Sequence, residues 1–261
     1  MRNSPGLILS FAALALMVPC GSHAQAPRHD STFSVVPTSC DPKEFARMQA
    51  QLQDWAGLQR YRSDDTALVA QSTSTKSRVV FYGDSITDAW GRLPDTGKFF
   101  LEKDHINRGI SGQTTAQMLV RFQQDVVNLH PAVVLILAGT NDVAGNTGPS
   151  TPEMIEDNYT SMVKIANESG IKVILASITP AYQYKWRPSV KPVEEIRQLN
   201  AWIRQYCGTG ACTYLDYYSS MVDANGAMQA DLTKDGVHPN AKGYGVMAPL
   251  ADKAIAVALR R

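Results

Sequence analysis

The segment Val79–Trp90, VVFYGDSITDAW, opens as an apolar run and breaks abruptly into Gly83, Asp84 and Ser85. A short apolar run bounded by turn residues reads as a strand buried on both faces. A strand that stops on a serine presents its hydroxyl at the edge of a sheet, where a base from elsewhere in the chain can activate it. What lies beside that strand, and what else reaches its end, decides both the fold and the chemistry.

Comparable runs follow along the chain. Strands are predicted at RVVFY from Arg78, near HIN at His105, at AVVLILA from Ala132, at KVILASI from Lys172 and at CTYLDY from Cys212. Between them, Met118, Leu119, Phe122, Val126 and Leu129 are spaced for one face of a helix, as are Ile155, Tyr159, Met162, Val163 and Ala166. Thr151 with Pro152 starts the second of these helices, and Gly170 ends it. Val193, Ile196, Leu199 and Ile203 mark a third helix; Met247, Leu250, Ala254 and Val257 mark a last one. Strands alternating with helices predict an α/β fold with a central parallel sheet and helices on both sides.

The chain before Arg78 reads differently. Arg2, the apolar stretch LILSFAALALMV and the small residues of SHAQA have the order of a secretory signal cut after Ala24 or Ala26. The stretch is too short to span a bilayer, so the mature protein is expected to be secreted or periplasmic, with no stable membrane insertion. Cys20 in MVPC raises a lipid-anchored alternative, which Pro19 disfavours. Residues 27–77 read as an N-terminal extension with one helix: a polar lead-in, a helix start at Asp41 and Pro42 running through KEFARMQAQLQDWAGLQRY, then SDDTALVAQSTSTKS as a loop. The catalytic domain is expected over residues 78–261.

At 261 residues, 44% hydrophobic and 19% charged, the chain suits one globular domain with a large core. Its net charge of +1 falls to zero once Arg2 leaves with the signal, which gives no electrostatic case for nucleic acid or an anionic membrane as partner. Cys207 and Cys212 in CGTGAC are close enough in sequence for a disulfide, or are two free thiols beside a strand; Cys40 is left unpaired. The histidines are scattered, without H-E-x-x-H or other paired ligand spacing, and no glycine loop is built to cradle phosphate. Neither metal nor cofactor is expected.

In an open parallel sheet, ligands sit outside the carboxyl ends of the strands. Four loops meet there: GDSIT, NRGISG, GTND and, before the last helix, DGVHPN. Each alone reads equally well as a turn. Together they hold a complete acyl-transfer set. Ser85 is a nucleophile, His238 a base, and Asp235, three residues before it, reaches the imidazole to fix its tautomer. The N–H groups of Ser85 and Gly112 and the Asn141 amide can receive an oxyanion. Candidates for substrate contact are Asp84 and, on the loop after the fourth strand, Tyr182, Tyr184, Trp186 and Arg187. Aromatics with polar tips suit sugar faces, although they can equally pack the loop onto the body.

With these four blocks in this order, the sequence from Arg78 onward resembles the GDSL-type lipases and esterases, the SGNH hydrolases. Ile86 stands for the usual leucine of the first block. The resemblance implies a flavodoxin-like three-layer α/β/α sandwich, and the roles above for Ser85, Asp235, His238 and Asn141; it selects Gly112, the glycine closing the second block, over Gly109. No G-x-S-x-G elbow of ordinary α/β-hydrolases is present. A small acyl group on a polar alcohol, above all O-acetyl on carbohydrate, is the expected substrate. The alternatives are lipid-like esters, acetyl transfer to a sugar hydroxyl, and carbohydrate binding without catalysis.

Overall fold

The structure is a computed structural model that describes residues 41–70, 77–92, 94, 96, 98–101 and 103–260. The segment expected to be a signal, the lead-in, Cys20 and Cys40 lie outside the described residues.

Five strands form one all-parallel sheet: β1 (Val79–Gly83), β2 (His105–Gly109), β3 (Val133–Leu137), β4 (Lys172–Ala176) and β5 (Thr213–Leu215), in the order β2-β1-β3-β4-β5. Strands β1 and β3 are buried at every position, as their unbroken apolar runs require. The chain moves from β1 outward to β2, then returns past β1 to β3. The crevice between the ends of β1 and β3 is therefore the switch point, where open α/β sheets take their ligands.

The helices are α1 (Pro42–Gln53), α2 (Arg62–Ala70), α3 (Ser85–Ala89), α4 (Lys98–Leu101), α5 (Thr115–Asp125), α6 (Thr140–Val143), α7 (Pro152–Glu168), α8 (Pro192–Tyr206), α9 (Tyr218–Met221) and α10 (Ala241–Ala258). Side chains alternate along each strand, so Val80, Tyr82, Val134 and Ile136 pack on one face with Met118, Phe122, Ile155, Met162 and Leu199 of α5, α7 and α8. Val79, Phe81, Val133 and Leu135 pack on the other with Met247, Ala251 and Ala254 of α10. Three layers result. Thr151 caps α7 by accepting from the Met154 N–H, and Asn240 caps α10 by accepting from the Gly243 N–H.

Two readings of the N-terminal extension need correction. The first helix stops at Gln53, and the Asp54 carboxylate reaches forward to accept the N–H groups of Leu58 and Gln59 at 2.7 and 3.0 Å, which holds the following segment in a turn. The segment read as a loop contains α2. Asp64 and Asp65 in its first turn favour the positive end of the helix. Tertiary bonds then hold it: Arg108 Nε donates to Asp65 Oδ1 at 2.8 Å, and the Tyr61 hydroxyl donates to the Gly109 carbonyl at 2.5 Å. The turn after α8 carries a disulfide between Cys207 and Cys212, at the amino end of β5.

Candidate active site

Strand β1 delivers Ser85 through a turn that tolerates little. A Cβ on Gly83 would lie 2.6 Å from the Leu137 carbonyl oxygen and 2.1 Å from Thr87 Oγ1, so only glycine fits between β1, β3 and α3. Asp84 caps α3, its Oδ1 accepting the Ile86 N–H at 2.9 Å. Ser85 is the first residue of that helix, and a first-turn N–H has no acceptor within its own helix.

The candidate base, His238, arrives on the turn before α10. Asp235 Oδ1 accepts the backbone N–H groups of Val237 and His238 at 3.0 and 2.8 Å, which folds the turn. Its Oδ2 lies 2.7 Å from His238 Nδ1, and His238 Nε2 lies 2.9 Å from Ser85 Oγ. Partial burial raises the Asp235 carboxyl, but the His238 and Val237 N–H groups and the imidazole outweigh it and hold the group below the ordinary carboxylate range. With a fixed carboxylate on Nδ1, Nε2 is free to accept the Ser85 proton.

The second and third blocks close the other side. Asp142 accepts the Thr115 N–H on both oxygens at 3.0 Å and the Thr115 hydroxyl at 2.5 Å, which ties α6 to the start of α5. Asn141 Nδ2 donates to the Gln113 carbonyl at 2.9 Å, with a longer contact of 3.3 Å to Asp84 Oδ2. Gly112 has φ +82°, and a Cβ built on it would meet nothing within 4 Å, so this stretch of backbone is open to close approach. Beneath these loops lies Arg121, wholly buried, donating to the Gly83 and Arg108 carbonyls at 3.1 and 2.9 Å and to Gln113 Oε1 at 2.5 Å. One guanidinium thus ties the ends of β1 and β2 to the residue beside Gly112, its charge matched by Asp125 at 2.9 Å.

Burial pushes the Asp84 carboxyl up to about 7, opposed by the Ile86 N–H and by His238, and it pushes Asp142 up to about 6 against the pull of Thr115. Among the described residues, no three His, Cys, Asp or Glu side chains converge as a metal site requires. Nor is any helix among them long and apolar enough to cross a membrane.

The GDSL-like Lipase/Acylhydrolase family matches residues 81–246, from within β1 into α10. The chain belongs to this family. It is similar to a GDSL-like lipase from Bacteroides thetaiotaomicron, whose crystal structure aligns with a TM-score of 0.74 at 43% identity over 78% of this chain and 98% of that one. It is also similar to esterase TesA of Pseudomonas aeruginosa, 29% identical over 66% of this chain and 84% of the relative. Human platelet-activating factor acetylhydrolase IB subunit alpha1 is 26% identical over 74% and 81%. The protein is a GDSL-family carboxylic ester hydrolase.

The loop after β4 sorts the remaining candidates of this GDSL-like hydrolase. Tyr182 and Trp186 are exposed and Arg187 is half-buried. Tyr184 is wholly buried and packs 5.1 Å from Trp186, between ring centroids. Its burial removes it from the substrate contacts, because its ring supports the loop from below. Asp84 is likewise buried, at the base of the site rather than on its rim. The Trp186 ring stands 6.4 Å from that of His238, and its Nε1 donates to Asn146 Oδ1 at 3.0 Å. Asn146, which sequence reasoning missed, donates through Nδ2 to Asn141 Oδ1 at 2.7 Å. Its only sequence signal is an asparagine in a turn five residues after Asn141, which is indistinguishable from an ordinary turn former.

Proposed function

We propose that this hydrolase is an exported serine esterase that removes short acyl groups, acetyl above all, from carbohydrate hydroxyls. The observation that carries the reading is the hydrogen-bonded line from Ser85 Oγ to His238 at 2.9 Å and from His238 to Asp235 at 2.7 Å, at the carboxyl end of β1. Ser85 Oγ adds to the ester carbonyl carbon while its proton passes to His238 Nε2. The Ser85 and Gly112 N–H groups and Asn141 Nδ2 receive the oxyanion, which replaces the long contact of Asn141 to Asp84. As the bond to the alcohol breaks, Nε2 returns the proton to the leaving oxygen and the acyl group stays on Ser85. Water then attacks with Nε2 as base, releasing the acid and restoring the serine.

Three observations support the finer reading. The exposed indole of Trp186 beside His238 offers an aromatic face of the kind that stacks on sugars. The similarity to a protein named for acetyl hydrolysis supports a small acyl group. The disulfide between Cys207 and Cys212 fits an oxidising compartment and hence export. That same relative's name, which pairs acetyl with platelet-activating factor, favours lipid-like alcohols as the second reading.

Hydrolysis of p-nitrophenyl esters from acetate to decanoate, followed by acetylated xylo-oligosaccharide and an acetylated glycerolipid, tests the choice. Acetate fastest and the sugar ester cleaved is the expected result. Decanoate fastest, or cleavage of the glycerolipid alone, transfers the assignment to lipid-like esters.

A further inference from the structure

A second hydrogen-bonded line, outside the triad, also ends in the site. Trp186 Nε1 donates to Asn146 Oδ1 at 3.0 Å, and Asn146 Nδ2 donates to Asn141 Oδ1 at 2.7 Å. The same Nδ2 lies 3.5 Å from the Gly112 carbonyl oxygen, and the Asn146 backbone N–H donates to the Asn141 carbonyl at 3.0 Å. Asn146 therefore touches both residues that flank the open side of the site.

A carboxamide has nearly the same shape after its two ends are exchanged, and only its partners decide which end is nitrogen. For Asn141 the choice is decisive. One orientation turns a donor toward Gln113 and Asp84, the neighbours of Gly112 and Ser85; the other would turn lone pairs toward a developing oxyanion. The Gln113 carbonyl, an obligate acceptor, selects nitrogen at one end, and Asn146 Nδ2 selects oxygen at the other. Asn146 is itself a carboxamide open to the same exchange. An indole N–H, which can only donate, removes that freedom.

We propose that Asn146 and Trp186 are positioning residues for ester hydrolysis: the donor-only indole of Trp186 fixes the orientation of Asn146, and Asn146 fixes the Asn141 amide as an oxyanion donor. This rests on Asn141 serving the oxyanion, as proposed above. Because the Trp186 ring also stands beside His238, an alcohol resting on the indole holds the same line in place. Substrates whose alcohol reaches Trp186 gain in kcat as well as in KM.

The test compares wild type with Asn141→Ala, Asn146→Ala, Asn146→Asp, Trp186→Phe and the double variant Asn141→Ala/Asn146→Ala. The readouts are kcat and KM on p-nitrophenyl acetate and inhibition by a trifluoromethyl ketone, which forms a tetrahedral adduct on the serine. Asn146→Asp keeps the side-chain volume and the acceptor for Trp186 but has no hydrogen to give Asn141, so it separates orientation from packing. Both Asn146 variants are expected to lose about tenfold in kcat with KM unchanged, and to bind the ketone about tenfold more weakly. Trp186→Phe is expected to lose about threefold. The double variant should be no slower than Asn141→Ala alone, because Asn146 acts only through Asn141. Additive losses in the double variant, or a wild-type kcat in Asn146→Asp while Asn141→Ala is slow, overturn this proposal alone. A wild-type rate in Asn141→Ala overturns it together with the oxyanion assignment.

Discussion

Asn141 and Asp84 are 3% and 1% exposed, whereas the side chains of His238 and Asp235 are 32% and 36% exposed, although all four gather around one serine. In the proposed mechanism the dry half holds the oxyanion donor, and the wet half holds the base. A hydrogen-bond donor aimed at developing charge is worth most when it is fixed and shielded from water. A base that must pass protons to an alcohol and take them from water works at the surface. The two aspartates make the same point. Asp235 meets two backbone N–H groups and an imidazole and is held below the ordinary carboxylate range, while burial drives Asp84, with the Ile86 N–H on one oxygen, up to about 7. Burial weighed against the donors that face the group decides which carboxyl keeps its charge: Asp142 takes three contacts from Thr115 and is still pushed up to about 6.

The contrast is broken most completely at Ser85, where the two halves meet. Ser85→Ala should lower kcat on p-nitrophenyl acetate by about 10⁴-fold or more, and steady-state assays will show whether it does. Within the dry half, Asn141→Ala should cost about 10²- to 10³-fold in kcat with little change in KM; a change confined to KM would make Asn141 a ground-state binding group.

Stability against pH sharpens the comparison further. Asp84 and Asp142 have folded-state values of about 7 and about 6 against an ordinary 3.8, so the native protein keeps protons that the unfolded chain has released. Their stabilisation is complete below the ordinary value and is lost as pH rises through 6 to 7. Asp235 behaves in the opposite sense, stabilising above its ordinary value and losing that contribution as pH falls through its depressed one. Calorimetry should therefore give a higher Tm at pH 5 than at pH 8, with the slope reduced in Asp142→Asn. A Tm that climbs from pH 5 to pH 8 would contradict the assignment of the dry half.

The smallest effect is expected far from either half. Cys207→Ser/Cys212→Ser removes a short loop closure at the amino end of β5, which should cost about 2 kcal/mol of stability. Denaturant titration measures that loss. The same variant should keep kcat/KM unchanged, because the reacting edge lies at the opposite ends of the strands.

What was legible in the sequence follows the same division. Apolar runs such as those at Val79 and Val133 declare buried strands without outside help, and Asp235 lies one turn from His238, so their pairing is local. Features held by distant polar partners left no local trace. Helix α2 has a weak apolar stripe and is held to β2 by Asp65 and Arg108, which are 43 residues apart in sequence. Arg121 looks like any charged residue on a helix, yet it is wholly buried because carbonyls at the ends of β1 and β2 need donors. Tyr184 and Trp186 are two residues apart on one loop; only folding buries the first and exposes the second.

The central claim is that Ser85 carries the acyl group, and covalent labelling tests it most directly. The purified protein is treated with a fluorophosphonate, which phosphonylates an activated serine, and its intact mass is recorded beside that of Ser85→Ala. One adduct per wild-type chain, mapped to the peptide containing Ser85 and absent from the variant, is the predicted result. Equal labelling of Ser85→Ala, with its esterase rate retained, would contradict it.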